Sequence, residues 1–360
     1  MNKIHTFARL DSKSKQIFLV LLLLSAFFLQ GIFSLHQKSA THDETAHIAA
    51  GYSYWKTGDF RLNKEHPPLM KLLAGFPLLF LRPDFPAEHP SWQNGREWEF
   101  ANQFIYPVIP PTPAEKIVFW ARIPILLLGL ILGFFVFKWS KELYGVTAGI
   151  FALFLYSFSP NILAHTRLVT TDLGITLFMF LTIYTFWRWL ATPNSRNLLL
   201  VGVCFGLALA TKFTAVILAP LGLLLGLVWY FGIPVGRHPH PALSPEGRGK
   251  KPPHPFPHPL RERVKGEGYK LLRALIIIGC IGGIILLASY GFLSFDKYIA
   301  GFKRVQAELQ KGQEAFLFGK YSSRGWWYYF IPAFFIKTPI PLISFLVVCL
   351  VGKAKAKQKL

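Results

Sequence analysis

Two short stretches between residues 36 and 116 hold the side chains best suited to chemistry. The first, residues 41–44, sets two carboxylates side by side at Asp43 and Glu44. The second, residues 64–69, joins a lysine, a glutamate and a histidine to a pair of prolines. Carboxylates and imidazoles accept and donate protons in enzymes, so the two stretches together form a candidate site for acid–base chemistry.

A structural role also explains the acidic pair. Thr41 and Glu44 fit the capping box of a helix that the sequence predicts over residues 45–57. Asp43 would lie in the first turn of that helix, where a negative charge favours the helix dipole. Gly58 follows the helix as a typical C-terminal residue. Taken alone, the pattern favours capping over catalysis.

The elements that must hold these stretches are membrane-spanning helices. Hydrophobic residues make up 52% of the 360-residue chain and charged residues only 16%, against about 25% charged in soluble domains. A soluble enzyme is therefore excluded, and the three cysteines all lie within apolar runs, which excludes a disulfide-stapled secreted module. The sequence predicts an all-α integral membrane protein with about eight transmembrane helices. The predicted spans are residues 17–35, 117–137, 144–163, 173–190, two shorter helices within 198–232, 271–290 and 339–351.

The apolar run at residues 70–81 is about half a spanning length. It predicts a short interfacial or re-entrant helix that holds the first long loop against the bilayer. The polar stretch that follows, residues 84–102, contains Trp92 and Trp98, and we expect this stretch to cover the candidate site as a lid.

The net charge of +21 reflects membrane topology. The segments between the predicted spans alternate, and the short ones are the basic ones, as the positive-inside rule expects of cytoplasmic segments. Nucleic acid is therefore not an expected partner, and the long loops are expected on the outer face of a bacterial inner membrane. The predicted order is a basic cytoplasmic N-terminus (1–16), a transmembrane core (17–235) with outer loop 36–116, a cytoplasmic insertion (236–268), further transmembrane helices (269–352) with outer loop 291–338, and a basic cytoplasmic tail (353–360).

The insertion at residues 236–268 differs from the rest of the chain. It is rich in proline, glycine, histidine and arginine and has no apolar period, and it resembles a translated intergenic palindromic repeat of bacterial genomes. A cytoplasmic loop tolerates such an insertion. Prolines beside most of its histidines keep them off a shared helical face, which argues against a histidine-rich metal site.

The ordered motifs resemble one enzyme class. Asp43-Glu44, Gly58-Asp59 and residues 65–69 with Lys71 are similar to the first outer loop of polyprenyl-phosphate-sugar-dependent glycosyltransferases of the GT-C class. That class includes protein O-mannosyltransferases and the aminoarabinose transferases of lipid A. Further similar segments are Ala121-Arg122, residues 159–161 and 163–165, Thr171-Asp172, and residues 325–329 and 337–339. The resemblance implies a GT-C-type bundle and sugar transfer to an outer-face protein, lipid A or glycan. Members usually carry more spanning helices, so it also implies a C-terminally shortened chain.

The resemblance assigns roles to individual residues. Asp43 matches the catalytic base of the family, with Glu44 beside it as a second catalytic or supporting acid. A sugar on a lipid phosphate already has a good leaving group, so the reaction needs a base for the attacking hydroxyl and cations for the departing phosphate. A single displacement then inverts the anomeric centre. The residues implied at the donor phosphate are His66 (a lysine in aminoarabinose transferases), Lys71, Arg122, Lys212 and Lys337, and the supporting residues are Glu65, His47 and Asp172.

Structural interpretations of these residues stay open. Arg122 and Lys337 can snorkel from apolar helices to lipid headgroups. Asp172 opens a predicted helix and favours its dipole, and Lys212 fits a positional anchor at a turn. Carboxylates near a phosphate can hold a divalent metal, but no ligand spacing demands one. The sequence therefore predicts no certain cofactor.

Two other function classes remain as alternatives. A transporter or lipid flippase would carry ionisable residues or broken helices near the midplane in two related halves. A catalytically inactive, truncated membrane protein would keep the fold without the chemistry. The expected partners of the glycosyltransferase are a polyprenyl-phosphate-linked sugar, membrane lipids and an acceptor protein, lipid or glycan.

Overall fold

The structure is a computed structural model that describes residues 12–36, 38–231, 267–292, 294–312, 315–323, 325–338 and 343. Helices dominate the described residues. They are α1 (Ser12–His36), α2 (His42–Thr57), α3 (Leu69–Gly75), α4 (Leu78–Leu81), α5 (Pro90–Gln93), α6 (Glu97–Ile105), α7 (Ala114–Tyr144), α8 (Val146–Ser157), α9 (Pro160–Thr166), α10 (Asp172–Ala191), α11 (Ser195–Leu209), a 3-10 turn (Phe213–Ile217), α12 (Leu218–Tyr230), α13 (Glu267–Ser289), α14 (Phe295–Lys311) and α15 (Phe330–Lys337).

Among the described residues, five helices are long and apolar enough to cross a membrane, which confirms the all-α integral membrane fold. α8 and α9 form a sixth candidate span, bent by 62°. The bend lies where Pro160, which has no N–H to donate into the preceding turn, begins α9. The five spans are Lys13–His36, Ala114–Tyr144, Asp172–Ala191, Phe213–Tyr230 and Gly268–Ser289.

The remaining two of the eight predicted helices have different outcomes. The run at 198–232 does break into two segments. α11, with 15 residues, is a shorter apolar helix, and the 3-10 turn together with α12 forms the 18-residue span Phe213–Tyr230. The predicted span at 339–351 lies outside the described residues, as do the basic tail and all of the proline-rich insertion except Glu267 and Gly268, which begin α13.

The first long loop folds into four short helices and the predicted helix α2. The capping box at Thr41 and Glu44 is present, and Gly58 ends α2 with a φ of 68°. α3 crosses α2 closely enough that a Cβ on Gly51 would overlap the Lys71 carbonyl, so only glycine fits there. The apolar run 70–81 forms α3 and α4, which are short as predicted.

Aromatic side chains of the loop pack together within the main hydrophobic core. The rings of Tyr52, Phe85, Phe100 and Phe104 pack against one another between α2 and α6. Trp92 is buried in this core, and its ring lies under the Arg61 guanidinium at 4.6 Å. The Trp92 indole is therefore a core side chain.

The segment after α13 contains α14, a helix with one apolar and one charged face. A two-stranded antiparallel hairpin follows, pairing β1 (Ala315–Leu317) with β2 (Lys320–Ser322) in the register Phe316 opposite Tyr321. This hairpin is the one β-sheet among the described residues. α14 lies on the first loop, as the side-chain contacts below show.

Candidate active site

The two neighbouring acids at the start of α2 have different surroundings. Glu44 is fully buried and forms a bidentate ion pair with Arg122 of α7, with Oε1 2.8 Å from Nε and Oε2 2.8 Å from Nη2. The same carboxylate accepts the Val169 backbone N–H at 2.9 Å and the Thr41 backbone N–H at 2.9 Å. Glu44 thus ties α2 to α7 and to the loop before α10.

All five N–H donors of Arg122 are used within the chain. Besides the two bonds to Glu44, the guanidinium donates to the carbonyls of Lys38 at 2.8 Å, Ser39 at 2.9 Å and Leu35 at 3.5 Å. No N–H is left for a donor phosphate in this arrangement. The guanidinium therefore holds the C-terminal end of α1 and the start of α2 in place.

Burial raises the pKa of the Glu44 carboxyl, but the Arg122 hydrogen bond and charge, with the backbone donors, lower it further and leave it below its ordinary value. Glu44 is therefore ionised at neutral pH. A carboxylate held by so many donors is a poor base for an incoming hydroxyl, because accepting a proton would cost it the ion pair.

Asp43 has the opposite environment. Its side chain is 72% exposed. Among the ion pairs of the described residues, its one partner is the His42 imidazole, with Nδ1 3.6 Å from Asp43 Oδ1. His42 in turn stacks on Trp98 with ring centroids 4.0 Å apart. Trp98 therefore lies beside the predicted base, within the stretch 84–102 that is expected to cover the site.

His47 lies one turn after Asp43 on the same helix and is buried. Its Nδ1 is 2.7 Å from the Val169 carbonyl, so Nδ1 carries the proton, because a carbonyl only accepts. Burial, together with the Lys71 charge, lowers the pKa of His47 to about 4. The imidazole is therefore neutral at pH 7 and donates to the Val169 carbonyl, while Glu44 accepts the backbone N–H of the same residue.

Lys71 is buried on α3 and points back into the loop that carries the second sequence motif. Its ammonium donates to the Asn63 carbonyl at 2.5 Å, the Asn63 side-chain oxygen at 3.1 Å and the His66 carbonyl at 2.7 Å. Burial lowers the pKa of Lys71 to about 7. Three acceptors match the three protons of the ammonium, so Lys71 fixes the backbone of residues 63–66.

Asp172, at the start of α10, and Lys212, just after the end of α11, meet in an ion pair. The Lys212 ammonium donates to Asp172 Oδ1 at 2.9 Å, and His165 Nδ1 lies 3.8 Å from Asp172 Oδ2. Asp172 is 46% exposed and Lys212 29%, so both remain accessible. This pair forms a second open cluster beside the loop.

His66 links the two clusters. Its ring centroid lies 5.5 Å from that of His47. Burial and the charges of His47, Lys71 and Lys212 lower the pKa of His66 to about 3, so it is neutral and acts as a hydrogen-bonding group. The backbone N–H of Leu69 donates to the Ala210 carbonyl at 3.0 Å, which holds the His66 loop beside the turn that carries Lys212.

Glu65 and Lys337 have separate partners. Glu65 pairs with Arg304 of α14, with Oε1 2.8 Å from Nη2. Burial and the nearby Glu97 raise the pKa of Glu65 against the opposing Arg304 charge. The Lys337 carbonyl accepts the Asn161 side-chain N–H at 2.9 Å. The described contacts do not bring the Lys337 side chain to the other site residues.

Sequence reasoning missed Val169 and Arg304. Val169 acts through its peptide group, which no side-chain pattern signals. Arg304 lies on a helix whose alternation of apolar and charged residues is visible in the sequence, but its partner is more than 200 positions away. Within the described ranges, no group of three or more histidine, cysteine or carboxylate side chains is arranged to hold a metal ion.

A family model described as dolichyl-phosphate-mannose-protein mannosyltransferase matches residues 116–241. The chain is therefore similar over this range to a glycosyltransferase family, which supports the reaction class that the resemblance implies, but not a particular sugar or acceptor. The match includes Arg122, Asp172 and Lys212. It begins after Asp43 and His66 and ends before Lys337. No curated protein and no solved structure matches the chain.

Proposed function

We propose that this protein is a membrane glycosyltransferase that moves a sugar from a polyprenyl-phosphate carrier to a hydroxyl acceptor. The observation that carries the proposal is the different environment of the two acids. Glu44 is buried in an ion pair with Arg122, while the Asp43 carboxylate is exposed and can accept a proton from a substrate. The similarity of residues 116–241 to a mannosyltransferase family supports the reaction class.

Asp43 is the proposed base. It takes the proton of the attacking hydroxyl as the oxygen forms its bond to the anomeric carbon. The bond from that carbon to the phosphate oxygen breaks, and its electron pair leaves with the phosphate. One displacement from the opposite face inverts the anomeric configuration. Glu44 and Arg122 position the first turn of α2, and so the base, without touching the substrate.

Lys212 and His66 are the proposed contacts to the donor phosphate. Lys212 has two ammonium protons beyond the one given to Asp172, and a cation there stabilises the charge that develops on the leaving group. His66, neutral at pH 7, donates one hydrogen bond. Lys71 has no free proton, so we assign it to holding the His66 loop. Lys337 remains a proposed phosphate contact on the strength of the resemblance.

An apolar cavity of about 450 Å³ suits the carrier lipid. It lies between α10, α11, α12 and α13, and it begins at Leu218, six residues after Lys212. A Cβ placed on Gly222 or Gly279, which line it, would meet nothing within 4 Å. A chain of isoprene units fits such a hydrocarbon-lined groove better than a polar transported solute does.

The transporter alternative has less support. It calls for broken helices in two related halves, and the described residues contain one bent pair, α8 and α9. The proposal further places the first long loop on the outer face of a bacterial inner membrane, where the acceptor is a protein, lipid or glycan.

The test is an Asp43→Asn variant of the full chain in proteoliposomes, assayed for mannose transfer from undecaprenyl-phosphate-mannose to extracted membrane acceptors. We expect transfer to fall by about 10² to 10⁴ fold, the contribution typical of a positioned base. Asp84→Asn, an exposed aspartate of the same loop, is the matched control and should keep full activity. Transfer that survives at Asp43→Asn, or that the unsubstituted chain does not perform, refutes the proposal.

A further inference from the structure

Helix α14 contacts both segments that carry the proposed phosphate contacts. Its inward face presents Tyr298 and Phe302, while Lys303 beside them is exposed. The helix follows a spanning helix in the chain, yet it lies over the first long loop. It is therefore an element from the second outer segment that completes the first.

On one side, α14 packs directly against the motif at residues 64–69. A Cβ on Gly301 would overlap the Lys64 carbonyl, so the α14 backbone lies in contact with that peptide. One turn later, Arg304 pairs with Glu65 at 2.8 Å. Both contacts fall on the two residues immediately before His66.

On the other side, the same turn of α14 packs on the residue that follows Lys212. The ring of Phe213 lies 5.1 Å from Tyr298 and 5.7 Å from Phe302, measured between centroids. Phe213 is buried, so its position fixes the backbone from which Lys212 reaches Asp172. One helical turn thus touches the segments of both His66 and Lys212.

We propose that α14 is a clamp that sets the spacing between His66 and Lys212, with Arg304 and Gly301 as positioning residues for binding of the donor phosphate. This inference rests on the proposed function. Arg304 does not touch the donor. It holds Glu65 against α14. Because His66 follows Glu65 directly in the chain, this contact also restrains the position of His66.

The exposure of the ion pair makes the clamp testable apart from stability. Arg304 is 47% exposed and Glu65 27%, and an ion pair this accessible contributes little to global stability. Removing it should leave the protein folded and alter only the placement of the phosphate-binding groups. A small misplacement of such groups is costly to binding and catalysis.

The experiment measures the affinity of the full chain in nanodiscs for undecaprenyl phosphate, together with the thermal unfolding midpoint. Arg304→Ala should weaken binding by about tenfold with an unchanged midpoint, and Gly301→Ala should act in the same direction. Arg304→Lys should recover most of the affinity, and Glu65→Gln combined with Arg304→Ala should be no worse than Arg304→Ala alone. Lys303→Ala is the matched control on the same helix and should bind as the unsubstituted chain does.

The outcomes separate the two proposals. If the unsubstituted chain binds undecaprenyl phosphate and Arg304→Ala binds it equally well, the clamp is refuted and the proposed function stands. A lower midpoint with unchanged affinity also refutes it, since that is the signature of a purely structural contact. If the unsubstituted chain does not bind the lipid phosphate, both the donor class and the clamp are refuted.

Discussion

At the scale of single residues, two adjacent carboxylates are driven to different tasks by their partners. Glu44 faces inward, where Arg122 and two backbone N–H groups fix it as a carboxylate. Asp43 faces outward with a 72% exposed side chain. Because an ion pair with both members at 0% exposure is costly to break, Glu44 serves as the structural member and leaves Asp43 free for the proposed chemistry.

The first prediction concerns Arg122. Arg122→Ala leaves the Glu44 carboxylate buried without a cation, which should cost about 3 to 5 kcal/mol and lower the thermal unfolding midpoint in detergent. Arg122→Lys should recover only part of the loss, because an ammonium cannot replace five N–H donors.

Lys116→Ala is the control for this measurement, since Lys116 is exposed on the same helix. A stable Arg122→Lys variant with weakened affinity for undecaprenyl phosphate would contradict the positioning role and favour a direct phosphate contact.

The sequence predicts part of this residue-scale arrangement. The capping box of Thr41 and Glu44 is local, so three residues of spacing suffice to predict it. The cost of a charge in an apolar helix marks Arg122 as functional. Its partner lies 78 positions away, and no local pattern reports which of the two neighbouring acids faces it. The sequence therefore assigns both acids to catalysis, and the structure is needed to show that Glu44 is the buried, paired one and Asp43 the exposed one.

At the scale of elements, short helices are positioned by close backbone contact. α2 and α3 cross where Gly51 meets the Lys71 peptide and Gly75 meets the Gly51 peptide. The crossing sets the direction from which Lys71 reaches the loop at residues 63–66. The spacing of apolar residues predicts both helices, but it does not report which glycines lie at a crossing.

The second prediction is that Gly51→Ala separates α2 from α3. The added methyl overlaps the Lys71 carbonyl, so the helices must move apart, at a cost of about 1 to 3 kcal/mol. The measurement is the thermal unfolding midpoint together with the affinity for undecaprenyl phosphate, both of which should fall.

Gly283→Ala is the matched control, because its Cβ would meet nothing within 4 Å. Alanine also favours a helix over glycine by up to about 1 kcal/mol, so that variant should be as stable as the unsubstituted chain or more so. Equal midpoints for Gly51→Ala and the unsubstituted chain would show that the crossing is looser than the structure indicates.

At the scale of the whole molecule, the site is assembled from segments separated by several membrane spans. α2, the loop before α10, the turn after α11 and α14 each contribute. Composition predicts that the chain is an integral membrane protein, and hydropathy predicts the spans, because both depend on local apolar content. Which outer segments meet depends on helix packing, so Arg304 and Val169 escape prediction.

The third prediction is that the segments carrying the site share one side of the membrane. A cysteine at Asn94, in the first long loop, should react with a membrane-impermeant maleimide in intact cells. A cysteine at Ser195, where α11 begins, should react only after permeabilisation, because one span separates it from Asp172.

The chain without an added cysteine gives the background from its three native cysteines, of which Cys204 is buried, Cys280 lies within a spanning helix and Cys349 lies within the apolar run 339–351. Labelling of Asn94→Cys only after permeabilisation would place the first loop in the cytoplasm and remove the proposed base from the outer face.

The backbone of Val169 limits the distance between α2 and Asp172. Glu44 accepts the Val169 N–H and His47 donates to the Val169 carbonyl. Only three residues of chain run from Val169 to Asp172, a reach of at most about 10 Å. The acid-bearing helix and the Asp172–Lys212 pair therefore cannot drift apart as the bilayer flexes. The distance between the two proposed parts of the site, at α2 and at Asp172, is therefore limited by covalent chain length. Inserting a single residue between Val169 and Asp172 should widen it without altering any side chain of the site.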